Sequence, residues 1–192
     1  MADNYVLSEE NTKITISNIP DKFPTLKGML DGNDKVEGEG KVEGEGKGED
    51  IYKTIKEIEF TETVTKIPEG FCSEMETLTT LTLPKTLTEI GNKAFMGCGN
   101  LKTVNFKECT GLTKIGDKAF YECNALENYT RDIEGDEKRL EFDLPPNIEE
   151  IGDEAFYREK TWDEAALTNI LEKTIVFPES LKIIGNSFFS TF

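Results

Sequence analysis

The sequence repeats one short motif along its length, and this repetition restricts the possible folds more than any other feature. IGNKAF at 90–95 recurs as IGDKAF at 115–120, IGDEAF at 151–156 and, less closely, IGNSFF at 184–189. A degenerate copy, IPEGFC, occupies 67–72. The first isoleucines of successive copies are 23, 25, 36 and 33 residues apart. A catalytic site is not needed in so many copies, whereas a period of roughly 20–29 residues is typical of a solenoid with one coil per repeat.

Each copy is preceded by a segment that has the alternating pattern of a β-strand. The segments are IKEIEF at 55–60, LTTLTL at 78–83, LKTVNF at 101–106, RLEFDL at 139–144 and EKTIVF at 172–177. Apolar residues at every second position, many of them β-branched or aromatic, predict strands with one buried face. Pro84, Pro145 and Pro178 follow three of these segments, where the strand ends and no ladder donor is needed. One coil therefore consists of a strand, a bend and the isoleucine–glycine motif.

The residues of the motif have separate roles in the predicted packing. Gly91 is expected to form a turn that a side chain would obstruct, and Ala94 is small where neighbouring coils approach closely. We expect the phenylalanines of the four best copies to stack into an internal spine, formed by Phe95, Phe120, Phe156 and Phe189. Each buried ring contributes about 1.5–3 kcal/mol. Because one coil cannot close its own core, stability comes from stacking.

Together these residues form the pattern LxxLxLPxxLxxIGxxAFxxCxxL, which resembles the BspA-like (treponemal) class of leucine-rich repeat over about residues 55–192. The resemblance implies a leucine-rich repeat solenoid, a β-rich, right-handed coil with few short helices. It implies a parallel sheet on one face and short, irregular strands or turns on the other. Many members are surface proteins of host-associated bacteria or parasitic protozoa and are regarded as adhesins or protein-binding modules, so the resemblance implies a similar role here.

Composition divides the chain into three regions. Residues 1–34 precede the repeats as an N-terminal cap or flanking segment, with a strand in KITISNIP at 13–20 and a short helix or coil turn in FPTLKGML. Residues 35–50 contain a tandem Gly/Glu hexapeptide, and this acidic low-complexity loop cannot bury apolar surface. Residues 51–192 form the predicted solenoid of about five repeats.

Two insertions lengthen the later repeats, near 127–139 and 157–172. At the first, LENYTR and RLEFDL both fit the strand position, so we expect the loop to bulge at the sheet edge. At the second, Thr161 and Glu164 form a capping box ahead of a helical period, which predicts a short helix. Trp162 either packs this helix against the coil, which we favour, or contacts a ligand.

The composition argues against most catalytic and cofactor chemistry. The chain has no histidine, the commonest general base and zinc ligand, and it has no phosphate-binding glycine motif. Its cysteines, Cys72, Cys98, Cys109 and Cys123, form no CxxC pair. We therefore expect no enzymatic activity, no cofactor and no metal site. Cys98 and Cys123 hold equivalent positions and are expected to be buried thiols, with a bridge between them as the alternative in an oxidising compartment.

The charge of the chain bears on its partners and its location. A formal net charge of −16 argues against nucleic acid and anionic membranes, which both require an excess of Lys and Arg. No apolar run is long enough for a membrane span, so no membrane insertion is expected. The N-terminus shows no secretory signal. The chain is therefore expected at the cell surface or secreted if a native signal was trimmed, and in the cytoplasm otherwise.

The outward residues of the predicted sheet, with the inserted helix, are the candidate partner surface. The set is Lys56, Glu57, Glu59, Thr80, Thr82, Lys102, Thr103, Asn105, Glu141, Asp143, Trp162 and Lys173. On the sheet itself these side chains are polar and mixed in charge, without the aromatic anchor that dominates most interfaces.

Two functions follow from these observations. The first is a non-enzymatic, adhesin-like module that binds a protein or a glycan at a cell surface. The alternative is an intracellular scaffold or self-assembling structural subunit, because the final coil has no visible cap and its apolar edge could associate with another copy.

Overall fold

A computed structural model describes residues 4–8, 10–20, 25–31, 51–126, 129–130, 139–158 and 174–187 of the chain. Nearly all regular structure in these residues consists of short strands. The strands are β1 Tyr5–Leu7, β2 Lys13–Ile16, β3 Glu57–Phe60, β4 Lys66–Ile67, β5 Thr80–Thr82, β6 Glu89–Ile90, β7 Thr103–Val104, β8 Lys114–Ile115, β9 Tyr129–Thr130, β10 Arg139–Phe142, β11 Glu150–Ile151, β12 Thr174–Val176 and β13 Ile183–Ile184. The α-helix α1 covers Leu26–Asp31 and a 3₁₀ helix covers Phe106–Glu108. Ile51 and Tyr52 are also helical.

One face of the coils is a five-stranded sheet, called sheet A, with the order β1-β2-β3-β5-β7. Strands β2, β3, β5 and β7 pair in parallel, and β1 pairs antiparallel with β2. The strands predicted at 55–60, 78–83 and 101–106 are confirmed, with alternate residues such as Ile58, Phe60 and Leu81 buried. A parallel sheet on one face is therefore confirmed.

The opposite face is a second parallel sheet, called sheet B, with the order β4-β6-β8-β11-β13. The resemblance implied short, irregular strands or turns here, and the strands are short, with two residues each, but they pair in one continuous register. The physical reason is a repeated hydrogen bond: the glycine amide of each coil donates to the isoleucine carbonyl of the preceding coil. Gly91 donates to Ile67 at 2.8 Å, and Gly116 donates to Ile90 at 2.9 Å.

The first insertion interrupts the sheet on the first face. LENYTR and RLEFDL, the two segments that fitted the strand position, both contain a strand: β9 lies in the first and β10 in the second, and the two strands pair antiparallel. Strand β10 also pairs in parallel with β12, so β9, β10 and β12 form a separate sheet C. Since β9 occupies the side of β10 away from β12, β10 does not continue sheet A. The single sheet expected on this face is therefore divided into two.

The aromatic spine is confirmed for the three members that the structure describes. The rings of Phe95 and Phe120 stack with centroids 5.2 Å apart, and those of Phe120 and Phe156 with centroids 5.3 Å apart. Phe106 packs edge-on against Phe120 and Phe156. Phe189 lies outside the described residues. The spine is buried, so the motif supplies a continuous core across the coils.

The motif glycines are needed for close approach, and the expectation for Gly91 is confirmed: its carbonyl accepts the Ala94 amide at 3.3 Å in the turn that follows, and a side chain would be obstructed. Among the described glycines only Gly70 and Gly97 have positive φ. A Cβ on Gly91 would lie 2.7 Å from the Glu69 nitrogen in the preceding coil. The left-handed conformation falls two residues later, at Lys93 with φ 56°.

The N-terminal region adds a further layer to the first coil. The strand predicted at 13–20 is present as β2, and the helix proposed in FPTLKGML is α1. Strand β2 pairs with β3, and the Leu26 amide donates to the Phe71 carbonyl at 2.8 Å. The loop at 35–50 and the helix predicted after Thr161 lie outside the described residues, and the region boundaries stay predictions.

Candidate functional site

Sheet A brings most of the predicted partner-binding residues together. The register places Glu57 beside Thr80 and Thr80 beside Thr103, and it places Glu59 beside Thr82. Lys56 and Lys102 precede the strands and are exposed, as are Glu57, Thr82 and Thr103. Each side chain on this polar face is held by a strand whose alternate residues lie in the core.

Asn105 is also on this side, but its amide is already bonded within the protein. Its Oδ1 accepts a hydrogen bond from the Leu83 amide at 2.8 Å, and its Nδ2 donates to the Leu83 carbonyl at 3.0 Å. The side chain thus replaces strand pairing at the point where the 3₁₀ helix begins at Phe106. Asn105 has a structural role, and a partner would have to compete for its amide.

The remaining predicted residues are not on sheet A. Glu141 belongs to β10 in sheet C. Asp143 follows that strand, and its Oδ1 lies 2.7 Å from Nζ of Lys107 in the preceding coil. Trp162 and Lys173 lie outside the described residues. The structure therefore separates Glu141 and Asp143 from the predicted residues on sheet A. The predictions for Trp162 and Lys173 stay untested.

Ion pairs between coils reduce the local charge of both faces. On sheet A, Lys13 Nζ lies 2.8 Å from Glu59 Oε2, and this hydrogen bond raises the pKa of Lys13. On sheet B, Lys114 Nζ lies 3.0 Å from Glu150 Oε1, which raises the pKa of Lys114 in the same way. The lysines of both pairs are exposed and screened by water, so the pairs orient side chains more than they stabilise the fold.

A tyrosine pair on the turns between the sheets was missed by the sequence analysis. The rings of Tyr121 and Tyr157 stack with centroids 5.1 Å apart, and Nζ of Lys118 lies 5.2 Å from the Tyr121 centroid. The same Nζ is 3.0 Å from Glu154 Oε2. Both tyrosines are partly exposed. The signal was the residue after the spine phenylalanine, which is Tyr in both IGDKAFY and IGDEAFY.

The cysteines are free and buried, as the thiol interpretation of Cys98 and Cys123 predicted. The Cys98 thiol donates to the Cys72 carbonyl at 3.2 Å, and the Cys123 thiol donates to the Phe95 carbonyl at 3.2 Å. Burial raises the pKa of the Cys72 and Cys123 thiols, and it raises the pKa of Cys109 to about 12. A neutral, buried thiol is a poor nucleophile, so these residues form core rather than a reactive site.

The residues that the structure describes contain no group of three or more His, Cys, Asp or Glu side chains arranged to hold a metal ion. None of the described helices is long and apolar enough to cross a bilayer.

Comparison with known proteins agrees with this architecture. A sequence model described as "BspA type Leucine rich repeat region" matches residues 51–134 and 135–192, with six copies. The chain belongs to the BspA-type leucine-rich repeat family. The family membership and the leucine-rich repeat fold predicted from the motif are thus confirmed.

Solved structures of three leucine-rich repeat proteins have low sequence identity to this BspA-type chain. A leucine-rich repeat protein of T. pallidum is 18% identical, with 94% of this chain and 60% of that chain covered and a TM-score of 0.49. One from Bacteroides ovatus is 18% identical, with 72% and 47% covered and a TM-score of 0.25. A leucine-rich cell surface protein of Faecalibacterium prausnitzii is 15% identical, with 98% and 73% covered and a TM-score of 0.27.

These scores add nothing to the family assignment. The chain spans 60% of the length of the T. pallidum protein. A comparison with proteins of curated function gives no match.

Proposed function

We propose that the chain is a non-enzymatic, adhesin-like module that binds a protein or a glycan at a cell surface. The observation that supports this most is the outward face of sheet A, where Glu57, Thr80 and Thr103 stand side by side on strands fixed by the core. Such a face presents polar groups in a rigid array, which lowers the entropy lost when a partner binds.

The tyrosine pair supplies what sheet A lacks. Energetically dominant contacts usually involve Trp, Tyr or Arg, and the predicted face has none of these. Tyr121 and Tyr157 are ordered against each other and partly exposed, so they lose little freedom on binding. A partner that contacts both the polar face and these rings would gain specificity from the first and affinity from the second.

The cell-surface part of the proposal rests on the family, whose members are generally cell-surface repeat proteins. The non-enzymatic part rests on chemistry. The chain has no histidine, and burial raises the pKa of Cys72, Cys109 and Cys123.

A binding screen with matched variants tests the proposal. The immobilised chain is screened against a glycan array and a panel of purified extracellular proteins, and each hit is measured again with Lys56→Glu/Lys102→Glu. Reversal of these two exposed charges is expected to weaken a sheet A partner about tenfold or more. Lys182→Glu, on the opposite face, serves as the control and leaves binding unchanged. Absence of any specific hit, or hits unaffected by the double reversal, would contradict binding through sheet A.

A self-assembling scaffold is the second candidate, and one observation favours it. Ile184 is 44% exposed in β13, whereas its equivalent Ile151 is fully buried, and Ile183, at the outward position opposite Glu150, is 58% exposed. Strand β13 pairs only with β11 among the described strands. Light scattering coupled to size exclusion over a concentration series should then show a rising mass, and Ile183→Thr/Ile184→Thr should abolish the rise. A constant mass for the unmodified chain would exclude assembly through this edge.

A further inference from the structure

Two of the four cysteines hold equivalent positions in neighbouring coils. Cys98 ends the segment AFMGC and Cys123 ends the segment AFYEC, and their side chains are 0% and 1% exposed. Both are free thiols in the structure. The Cys123 thiol donates to the Phe95 carbonyl at 3.2 Å, so its sulfur leans towards the coil that contains Cys98.

Backbone hydrogen bonds fix these two residues opposite each other. On one side of the pair the Gly97 amide donates to the Tyr121 carbonyl at 2.8 Å. On the other side the Ala125 amide donates to the Gly99 carbonyl at 3.1 Å. Segments bonded in this way, like strands in a sheet, lie about 4.7–4.9 Å apart, and disulfides join Cα atoms about 4.4–6.8 Å apart. The backbone spacing therefore suits a bridge between the two coils.

The two sulfur atoms are neighbours, and the backbone beside one of them has room to move. Burial and then a hydrogen bond with the Cys98 side chain raise the pKa of the Cys123 thiol. A bridge requires Cβ atoms about 3.5–4.5 Å apart, slightly less than the spacing of the coils. Cys98 lies between Gly97 and Gly99, and a Cβ on Gly99 would meet one backbone atom, at 4.0 Å. The turn around Cys98 can therefore make the small shift that a bridge requires.

The other two cysteines do not lie in this column. Cys72 follows Ile67 by five residues, the distance from the isoleucine to the phenylalanine in the best copies of the motif. It therefore occupies a spine position rather than the position of Cys98. The Cys109 thiol donates to the Asn105 carbonyl at 3.3 Å, within its own coil. The register thus selects one pair among the four cysteines.

We propose that Cys98 and Cys123 form a disulfide when the chain folds in an oxidising compartment, with a small-molecule disulfide as the oxidant. The thiolate of one cysteine attacks the small disulfide and releases one thiol, and the second cysteine then attacks the mixed disulfide and releases the other. The two cysteines lose two electrons and two protons, and the small disulfide gains them to give two thiols. Because burial protects the native thiols, this exchange takes place before the core closes. The bridge lies in the core and does not depend on the binding proposed for sheet A.

Oxidative refolding of the whole chain tests the proposal. The reduced chain is unfolded in urea and diluted into a buffer that contains either reduced and oxidised glutathione or a reducing agent alone. Remaining thiols are alkylated, and the chain is cleaved after lysine and arginine, which places each of the four cysteines on a different peptide. In the glutathione sample, mass spectrometry should find the Cys98 and Cys123 peptides joined and the Cys72 and Cys109 peptides alkylated.

The bridge should also stabilise the folded chain, because it closes the loop from 98 to 123 in the unfolded state. We expect Tm to be about 5–10 °C higher in the glutathione sample than in the reduced sample. Cys109→Ala removes a buried cysteine outside the pair and should keep both the bridge and the rise in Tm, whereas Cys98→Ala should lose both. A chain that folds in glutathione without a bridge, a bridge between any other two cysteines, or folding in the reducing buffer alone would overturn the proposal.

Discussion

Replacing Gly116 by alanine inserts one methyl group between two stacked coils. The new Cβ would lie 2.7 Å from the Asn92 nitrogen and 2.9 Å from the Gly91 carbonyl carbon, and it would also meet Asn92 Oδ1. Real Cβ atoms do not approach backbone atoms this closely, so the coils must move apart. That movement lengthens the hydrogen bond from the Gly116 amide to the Ile90 carbonyl, which is 2.9 Å in the structure.

The size of the effect follows from three contributions. Overpacking against atoms that cannot rotate away costs about 1–3 kcal/mol, and a weakened backbone hydrogen bond costs about 0.5–1.5 kcal/mol. Alanine also lowers the entropy of the unfolded chain, which stabilises the folded state by about 0.4–1 kcal/mol and offsets part of this loss. We expect Gly116→Ala to lower the free energy of unfolding by about 2 kcal/mol, which corresponds to a fall in Tm of about 4–8 °C for a chain of this length.

Gly99→Ala is the matched control. Gly99 has no positive φ, and its added Cβ would have only the Glu122 carbonyl oxygen nearby, at 4.0 Å. The control should therefore be neutral or stabilising by up to about 1 kcal/mol. Urea unfolding followed by far-ultraviolet circular dichroism measures both variants against the unmodified chain. Equal stability of the two variants would refute the argument that the motif glycines are required by close stacking.

Four further predictions concern the spine, the buried thiols and a polar ladder, in which Oδ1 of Asn92, Asp117 and Asp153 each accepts a backbone amide of the next coil. Phe120→Leu should cost about 1–2 kcal/mol in urea unfolding, because it removes ring contacts with two coils. Asp117→Ala should cost about 1 kcal/mol, because Asp117 Oδ1 accepts the Asp153 amide at 2.9 Å, whereas Asp117→Asn keeps the acceptor and should be nearly neutral; equal losses would refute the ladder. Because the pKa of Cys109 is about 12 in the folded chain, its contribution to stability should disappear as pH rises from the ordinary thiol pKa towards that value. A thiol reagent at about pH 8 should modify the native cysteines far more slowly than the urea-unfolded ones, and equal rates would contradict their burial.

Residues that recur in every copy allowed the fold to be predicted from sequence. The recurring phenylalanine predicted a spine, and Phe95, Phe120 and Phe156 form it, because a position that repeats with the coil must contact its own copies. The alternation in LTTLTL predicted β5 for the same reason. Sheet B was not predicted as regular, because strands of two residues are too short to show a period.

Features that occur only once or twice in the sequence could not be predicted by comparing the repeat copies. Two segments fitted one strand position at the first insertion, and only the backbone shows that β9 and β10 are both strands. Asn105 looked like an outward polar residue, since nothing local indicates that its amide pairs with the backbone of Leu83, 22 residues earlier. Tyr121 and Tyr157 occupy the same position in two copies of the motif, but the copy before them has Met96 there. The tyrosines were therefore not identified as a repeated feature.

Hydrogen exchange of individual amides tests the stacked arrangement most directly. The amides of Gly91, Gly116 and Gly152 each donate to the preceding coil at 2.8–2.9 Å, so their exchange should be slowed to the rate set by opening of the stacked coils. Among the described residues the Thr65 amide, on the outer edge of β4, donates to no partner, so it should exchange far faster. If the three glycine amides exchange as fast as Thr65, the coils are not held together by this column of bonds and the account is wrong.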